Sequence, residues 1–191
     1  MMKRNFGFTL MELLIVIGVL GILAAGLLAA IDPFEQLKKA RDSNYRSAGL
    51  ELLSATQRYY ANHGYFPWTD GGACETAVGG ELDPAVTTSA SAVLLPLGGD
   101  AGMGNFQTCL DTNLVGDGEL KSTFASGLAT TVYLSTWGKT SVRVCYTPES
   151  KSNRADKSTN MQLTGSSPNY TLTDGCGTTE RDSGKCVQCF Q

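Results

Sequence analysis

The chain has 191 residues, in which 15 lysines and arginines stand against 18 aspartates and glutamates for a formal net charge of −3, with a single histidine and six cysteines. His63 has no recognisable nucleophile partner, and there is neither a phosphate-cradling glycine loop nor an H-E-x-x-H motif, so no enzyme is expected. The acidic balance likewise argues against a dedicated phosphate binder.

The first element in chain order is apolar. Lys3 and Arg4 precede Gly7, and the 24 residues from Phe8 to Ile31 carry one charge, Glu12. As a helix, Leu13 to Ile31 rises about 28 Å, close to the roughly 30 Å of bilayer hydrocarbon, which predicts a membrane span. Lys3 and Arg4 are the only charges among the first seven residues, so the positive-inside rule keeps the N-terminus cytoplasmic and sends everything after Ile31 outward. An ordinary cleaved secretory signal is the alternative, but its apolar core usually runs about 7–15 residues, and Glu12 lies inside this longer one. A carboxylate in such a run is disfavoured by roughly 2.5–3.5 kcal/mol at the bilayer centre and less near its edge, so Glu12 reads as functional. Its place in the first turn recovers about 0.3–1 kcal/mol from the helix dipole, and the remainder calls for a cation. Further along, Gly21-x-x-x-Ala25 and Gly26-x-x-x-Ala30 are spacings that let helix backbones approach closely.

The run Gly7-Phe8-Thr9-Leu10-Met11-Glu12-Leu13-Leu14-Ile15-Val16 resembles the class III signal of type IV pilins and type II secretion pseudopilins. That resemblance implies cleavage between Gly7 and Phe8 by a membrane prepilin peptidase, N-methylation of the new terminal Phe8, and retention of the apolar segment. Glu12 falls at the fifth mature position, where the family has a glutamate that pairs with the terminal amine of a neighbouring subunit. The implied partners are a helical filament of like subunits, an inner-membrane assembly platform and minor pilins. The chain would reside in the inner membrane before assembly and in an extracellular filament afterwards. Loss of residues 1–7 removes Lys3 and Arg4 and takes the net charge from −3 to −5, and whether such a filament engages nucleic acid is left open.

A second helix is expected to restart at Asp32 as N-cap, with Pro33 at the first helical position and Glu35 completing a capping box. Its stripe, Phe34, Leu37, Tyr45, Ala48, Leu52, Ala55 and Tyr59, follows three- and four-residue steps with Arg41 interrupting, while Lys38, Lys39, Asp42, Arg46, Glu51 and Arg58 fall mostly off it. Asn62, Gly64 and Pro67 are its stop signals, and Tyr59 to Pro67 resembles the aromatic-Gly-aromatic-Pro exit of bacterial pilins. The expected organisation is a leader over 1–7, one long kinked helix over 8–62, divided into 8–31 and 32–62, and a globular head over 63–191. Strands are expected at Thr130–Ser135 and Ser141–Tyr146, joined as a hairpin through Trp137-Gly138-Lys139, with a third at Tyr170–Leu172. The segment from Asp70 to about Ser122 reads as loop-rich, with a short helix at Ser91–Leu95. The fold class is α+β: a long N-terminal helix packed on an antiparallel sheet.

All six cysteines, Cys74, Cys109, Cys145, Cys176, Cys186 and Cys189, lie in the head, and an even count outside the cytoplasm predicts three disulfides whose pairing sequence cannot choose. By resemblance to pilins, Cys176 would close a C-terminal loop with Cys186 or Cys189. Zinc at Cys186-x-x-Cys189 is disfavoured because no second close pair exists. No cofactor is expected. Calcium is the one ion the pattern allows, through Asp111, Asn113 and Asp117, although the spacing departs from the EF-hand loop. Asn169-Tyr170-Thr171 is a glycosylation-type sequon. The reading is a filament subunit of a type IV pilus. A type II secretion pseudopilin is its alternative within the family, and a membrane-anchored binding module that does not polymerise is the alternative outside it.

Overall fold

A side-chain oxygen just ahead of each long helix, from Thr9 and from Asp32, sets where it begins. The computed structural model describes residues 7–30, 32–69, 72, 74, 92–97, 104–122, 124, 132–137, 141–166 and 169–191. Helix α1 runs Leu10–Ala30 and α2 runs Pro33–His63. Asp32 caps α2 as its sequence predicts: Oδ1 accepts from the amides of Phe34 at 3.1 Å and Glu35 at 3.3 Å, and Pro33 takes the position where a missing N–H costs nothing. At the far end the amide of Gly64 donates to the Tyr60 carbonyl at 2.7 Å with φ +82°, the left-handed turn that stops a helix and favours glycine. The chain forms two compact units, one ending at Leu37 and one running Lys38–Gln191.

Among the described residues of the larger unit six strands form one antiparallel sheet: β1 (Ala92–Leu97), β2 (Val132–Trp137), β3 (Ser141–Tyr146), β4 (Met161–Ser166), β5 (Asn169–Asp174) and β6 (Cys186–Phe190). Their order is β1-β2-β3-β6-β4-β5, and β1 pairs with β5 to close a barrel. Helices α3 (Gly104–Gly116), α4 (Lys151–Arg154) and α5 (Thr178–Asp182) complete the fold. The class is α+β, as expected.

Strand alternation divides the core in two. Val132, Leu134, Val142 and Val144 face outward onto Leu52, Leu53, Ala55 and Tyr59 of α2, joined by Phe66, Trp68 and, from α3, Leu110 and Leu114. Tyr133, Cys145, Met161, Leu172 and Val187 face the barrel interior. At Gly49 α2 lies close against the sheet, for a Cβ there would lie 3.5 Å from Val144 Cγ1.

Several expectations change. The buried face of α2 starts at Asp42 and Tyr45, whereas Phe34 and Leu37, placed on the apolar stripe, are 73% and 61% exposed. Asp42, placed off the stripe, has no exposure at all. Its Oδ1 accepts from the Glu149 amide at 2.8 Å, and its Oδ2 accepts from the Ser150 amide at 3.0 Å, the Ser150 hydroxyl at 2.6 Å and Asn153 Nδ2 at 2.9 Å. Four donors replace the water a buried carboxylate loses. The helix expected at Ser91–Leu95 is strand β1, because Leu94–Leu97 pair with β2 and Ala92–Leu94 with β5. Such long-range pairing overrides the local pattern. The segment read as loop-rich contains β1 and α3, and β4 and β6 are additional strands. The β2–β3 hairpin is present with Trp137 opposite Ser141, residues 138–140 lying outside the described residues. Thr130 and Thr131 of the first expected strand also lie outside them.

Asp42→Ala strands the buried donors of Ser150 and Asn153, and its loss should cost about 3 kcal/mol or more in urea unfolding. Tyr146 is buried with its hydroxyl donated to Gln188 Oε1 at 2.6 Å. Burial first, with the nearby Asp42 carboxylate adding to it, pushes its hydroxyl from an ordinary 10 up to about 12. The folded state therefore holds this proton longer than the unfolded chain, so its contribution is intact below pH 10 and is lost as pH rises towards 12. Tyr146→Phe should flatten the fall in stability across that window, measured by denaturant unfolding at stepped alkaline pH.

Candidate functional site

Gly7, Phe8 and Thr9 precede α1 in non-helical backbone. Phe8 is 80% exposed. Gly7 has an ordinary φ, and a Cβ added to it would meet nothing within 4 Å, so no packing or backbone demand in the described structure calls for glycine there.

Glu12 has a partner that the sequence reading missed. The Thr9 amide and the Thr9 hydroxyl both donate to Glu12 Oε2, at 3.0 and 2.7 Å, and the Glu12 amide donates back to Thr9 Oγ1 at 3.3 Å. This is a reciprocal capping box, with Thr9 as N-cap and Glu12 three residues on. The signal was present as a T-x-x-E before an apolar run. Both side-chain bonds converge on Oε2, so the carboxylate can take a further donor on Oε1.

Beyond this turn α1 is apolar all round. Leu13, Leu14, Ile17, Leu20, Leu23 and Leu27 are each more than half exposed, and the stretch Leu10–Leu28 is long and apolar enough to cross a membrane. Added Cβ atoms at Gly18, Gly21 and Gly26 would meet nothing within 4 Å. A helix with this surface belongs in lipid or in a core of other helices.

The six cysteines form three bridges: Cys74–Cys109, Cys145–Cys189 and Cys176–Cys186. The C-x-x-C pair is thus split between two disulfides, which removes the zinc reading. Cys145 and Cys189 sit opposite each other in the β3–β6 register, and Cys176–Cys186 encloses α5.

The acidic residues of α3 and the turn after it have separate settings. Asp111 Oδ1 is buried without a hydrogen-bond partner among the described residues, and burial raises the Asp111 carboxyl above its usual range. Asn113 Nδ2 donates to the Cys109 carbonyl at 2.7 Å, against the Cys74–Cys109 bridge. Asp117 Oδ2 lies 3.6 Å from His63 Nε2. His63 itself stacks on Tyr59, with Nδ1 donating to the Tyr59 carbonyl at 3.1 Å. No group of three or more His, Cys, Asp or Glu side chains placed to hold a metal occurs among the described residues.

Residues 2–28 match the family model described as the prokaryotic N-terminal methylation motif. The chain is also 41% identical over 61 residues to the type IV major pilin protein PilE of Neisseria gonorrhoeae, a stretch covering 32% of this chain and 35% of that one. The match thus spans about a third of that relative's length. No solved structure matches the chain. The chain thus carries the N-terminal methylation motif and an apolar helix long enough to cross a membrane, and over 61 residues it is similar to a type IV major pilin.

Proposed function

We propose that this protein is a structural subunit of a type IV pilus-like filament. The observation that carries the reading is α1, apolar on every face and carrying one carboxylate in its first turn. Before assembly the bilayer covers that surface, with Lys3 and Arg4 on the cytoplasmic side and the disulfide-bonded unit outside, where thiols oxidise. After cleavage by a prepilin peptidase between Gly7 and Phe8 and methylation of Phe8, other copies of α1 cover it. Gly18, Gly21 and Gly26, which no contact among the described residues requires, suit such close helix approach.

Glu12 then accepts the terminal amine of a neighbouring Phe8 while Thr9 holds its other oxygen. Charge neutralisation in a dry core selects the register, since leaving one member of a buried pair alone costs about 3–5 kcal/mol. A pilus rather than a secretion pseudopilus is supported by the major-pilin likeness and by a head with three disulfides.

Intact-mass and N-terminal peptide analysis of native protein should find the chain starting at methylated Phe8, with the cysteines oxidised. Retention of Met1, or a cut near Gly26, would overturn the reading. In cells, Glu12→Ala should abolish sheared filaments or leave them misregistered while membrane-inserted subunit persists. Normal filaments from that variant would overturn the role given to Glu12, and a lack of filaments from the unmodified protein would point to an anchored, non-polymerising head.

A further inference from the structure

A polar cleft in the unit Lys38–Gln191 has no part in the assembly just described. It encloses about 280 Å³ between α2, the end of β3, α4 with its following turn, and β6. That is a little under the roughly 300–1,000 Å³ of pockets for drug-sized ligands, so it suits a ligand about the size of one sugar.

Its floor is built from polar side chains that are more than nine-tenths buried: Asp42, Tyr146 and Gln188. They are locked to one another and to their surroundings. Asp42 is held by its four donors, Tyr146 donates to Gln188, and Gln188 Nε2 donates to Ser158 Oγ. Such a floor costs desolvation to assemble and keeps its shape.

The two sides of the cleft differ in chemistry. Along α2, Lys39, Ser43 and Arg46 are exposed and stand at three- and four-residue steps on one helix face. Arg46 lies over the Phe190 ring at 5.4 Å, and neither cation forms an ion pair among the described residues. The opposite side presents acceptors. Tyr146 donates its hydroxyl hydrogen to Gln188 and keeps lone pairs on its oxygen, and Asn153, whose Nδ2 donates to Asp42, keeps its side-chain carbonyl as an acceptor. Asp156 takes both Ser158 bonds on Oδ1, leaving Oδ2.

We propose that this cleft binds a polyhydroxylated monocarboxylate, of the uronic-acid class, with the carboxylate on Arg46 and Lys39 and the hydroxyls donating to Tyr146, Asn153 and Asp156. Arg46 offers the planar fork that carboxylates match. The Asp156 carboxylate at the rim discriminates against a doubly charged phosphate and favours hydroxyl donors. A neutral sugar satisfies the acceptor side alone.

Saturation-transfer NMR on the full chain in zwitterionic detergent micelles, with galacturonate as probe, tests this. Galacturonate should show saturation transfer, and galactose and inorganic phosphate should bind at least about tenfold more weakly. Arg46→Gln and Lys39→Gln should each weaken galacturonate binding about tenfold, and Lys121→Gln, outside the cleft, should leave it unchanged. Both cations are exposed, and neither is among the donors to Asp42, so their substitution spares the Asp42 floor, and circular dichroism checks that each variant is folded. No transfer from galacturonate, equal binding of galactose or phosphate, or undiminished binding by both folded variants overturns the proposal. The outcome is independent of filament formation, which is read from sheared fibres.

Discussion

The organisation of the larger unit depends on one buried carboxylate. Asp42 has no exposure, and all four of its donors come from the segment Glu149–Asn153, more than 100 residues along the chain. Its neighbours on the helix reach the same segment: Arg41 Nη2 lies 2.7 Å from Glu149 Oε2, and the Tyr45 hydroxyl donates to Glu149 Oε1 at 3.0 Å. One helical turn therefore grips the exit of β3. Ser150, the central donor, is also the N-cap of α4 and accepts from the Asn153 amide. A carboxylate so placed specifies a single docking of helix on sheet, because any slip leaves it without donors and without water.

Barrel closure rests on a strand of five residues. In β6, Val144, Cys145 and Tyr146 of β3 find partners at Phe190, Cys189 and Gln188, while Met161 and Gln162 of β4 pair with Val187 and Cys186. So short an overlap on each side gives few ladder bonds. The two cysteines compensate, since Cys186 and Cys189 tie this strand covalently to Cys176 and Cys145. Arg154 and Arg181 add side-chain bonds from α4 and α5 to the carbonyls of Asp182, Ala155 and Thr159, holding the loop that leads into β6. On the far side of α2, Arg58 and Asn62 both engage Glu119 after α3, so the helix is fastened on two fronts.

The first unit obeys a different economy. Its helix offers nothing to a core of its own, and its polar chemistry is concentrated in a single turn. Thr9 and Glu12 satisfy the helix start mutually, which lowers the cost of carrying a carboxylate into an apolar surrounding. The same arrangement leaves one oxygen for a cation from outside the chain, so the cap and the proposed assembly contact share a side chain without competing for the same atom.

What sequence alone determined lies in local physics. The apolar length, Glu12, the Asp32–Pro33 restart, the Gly64 stop and the hairpin between β2 and β3 are each written within a few residues, because caps, turns and spans are local energies. The Thr9 cap was equally local and was legible in T-x-x-E. The tertiary structure alone decided which cysteines meet, that Ala92–Leu97 is a strand, that β6 closes a barrel, and that Asp42 is buried while Phe34 and Leu37 are not. Each of these depends on partners brought from far along the chain. An aspartate in an amphipathic pattern reads as solvated until the structure supplies four donors, and no periodicity in α2 records donors that reside in Glu149–Asn153.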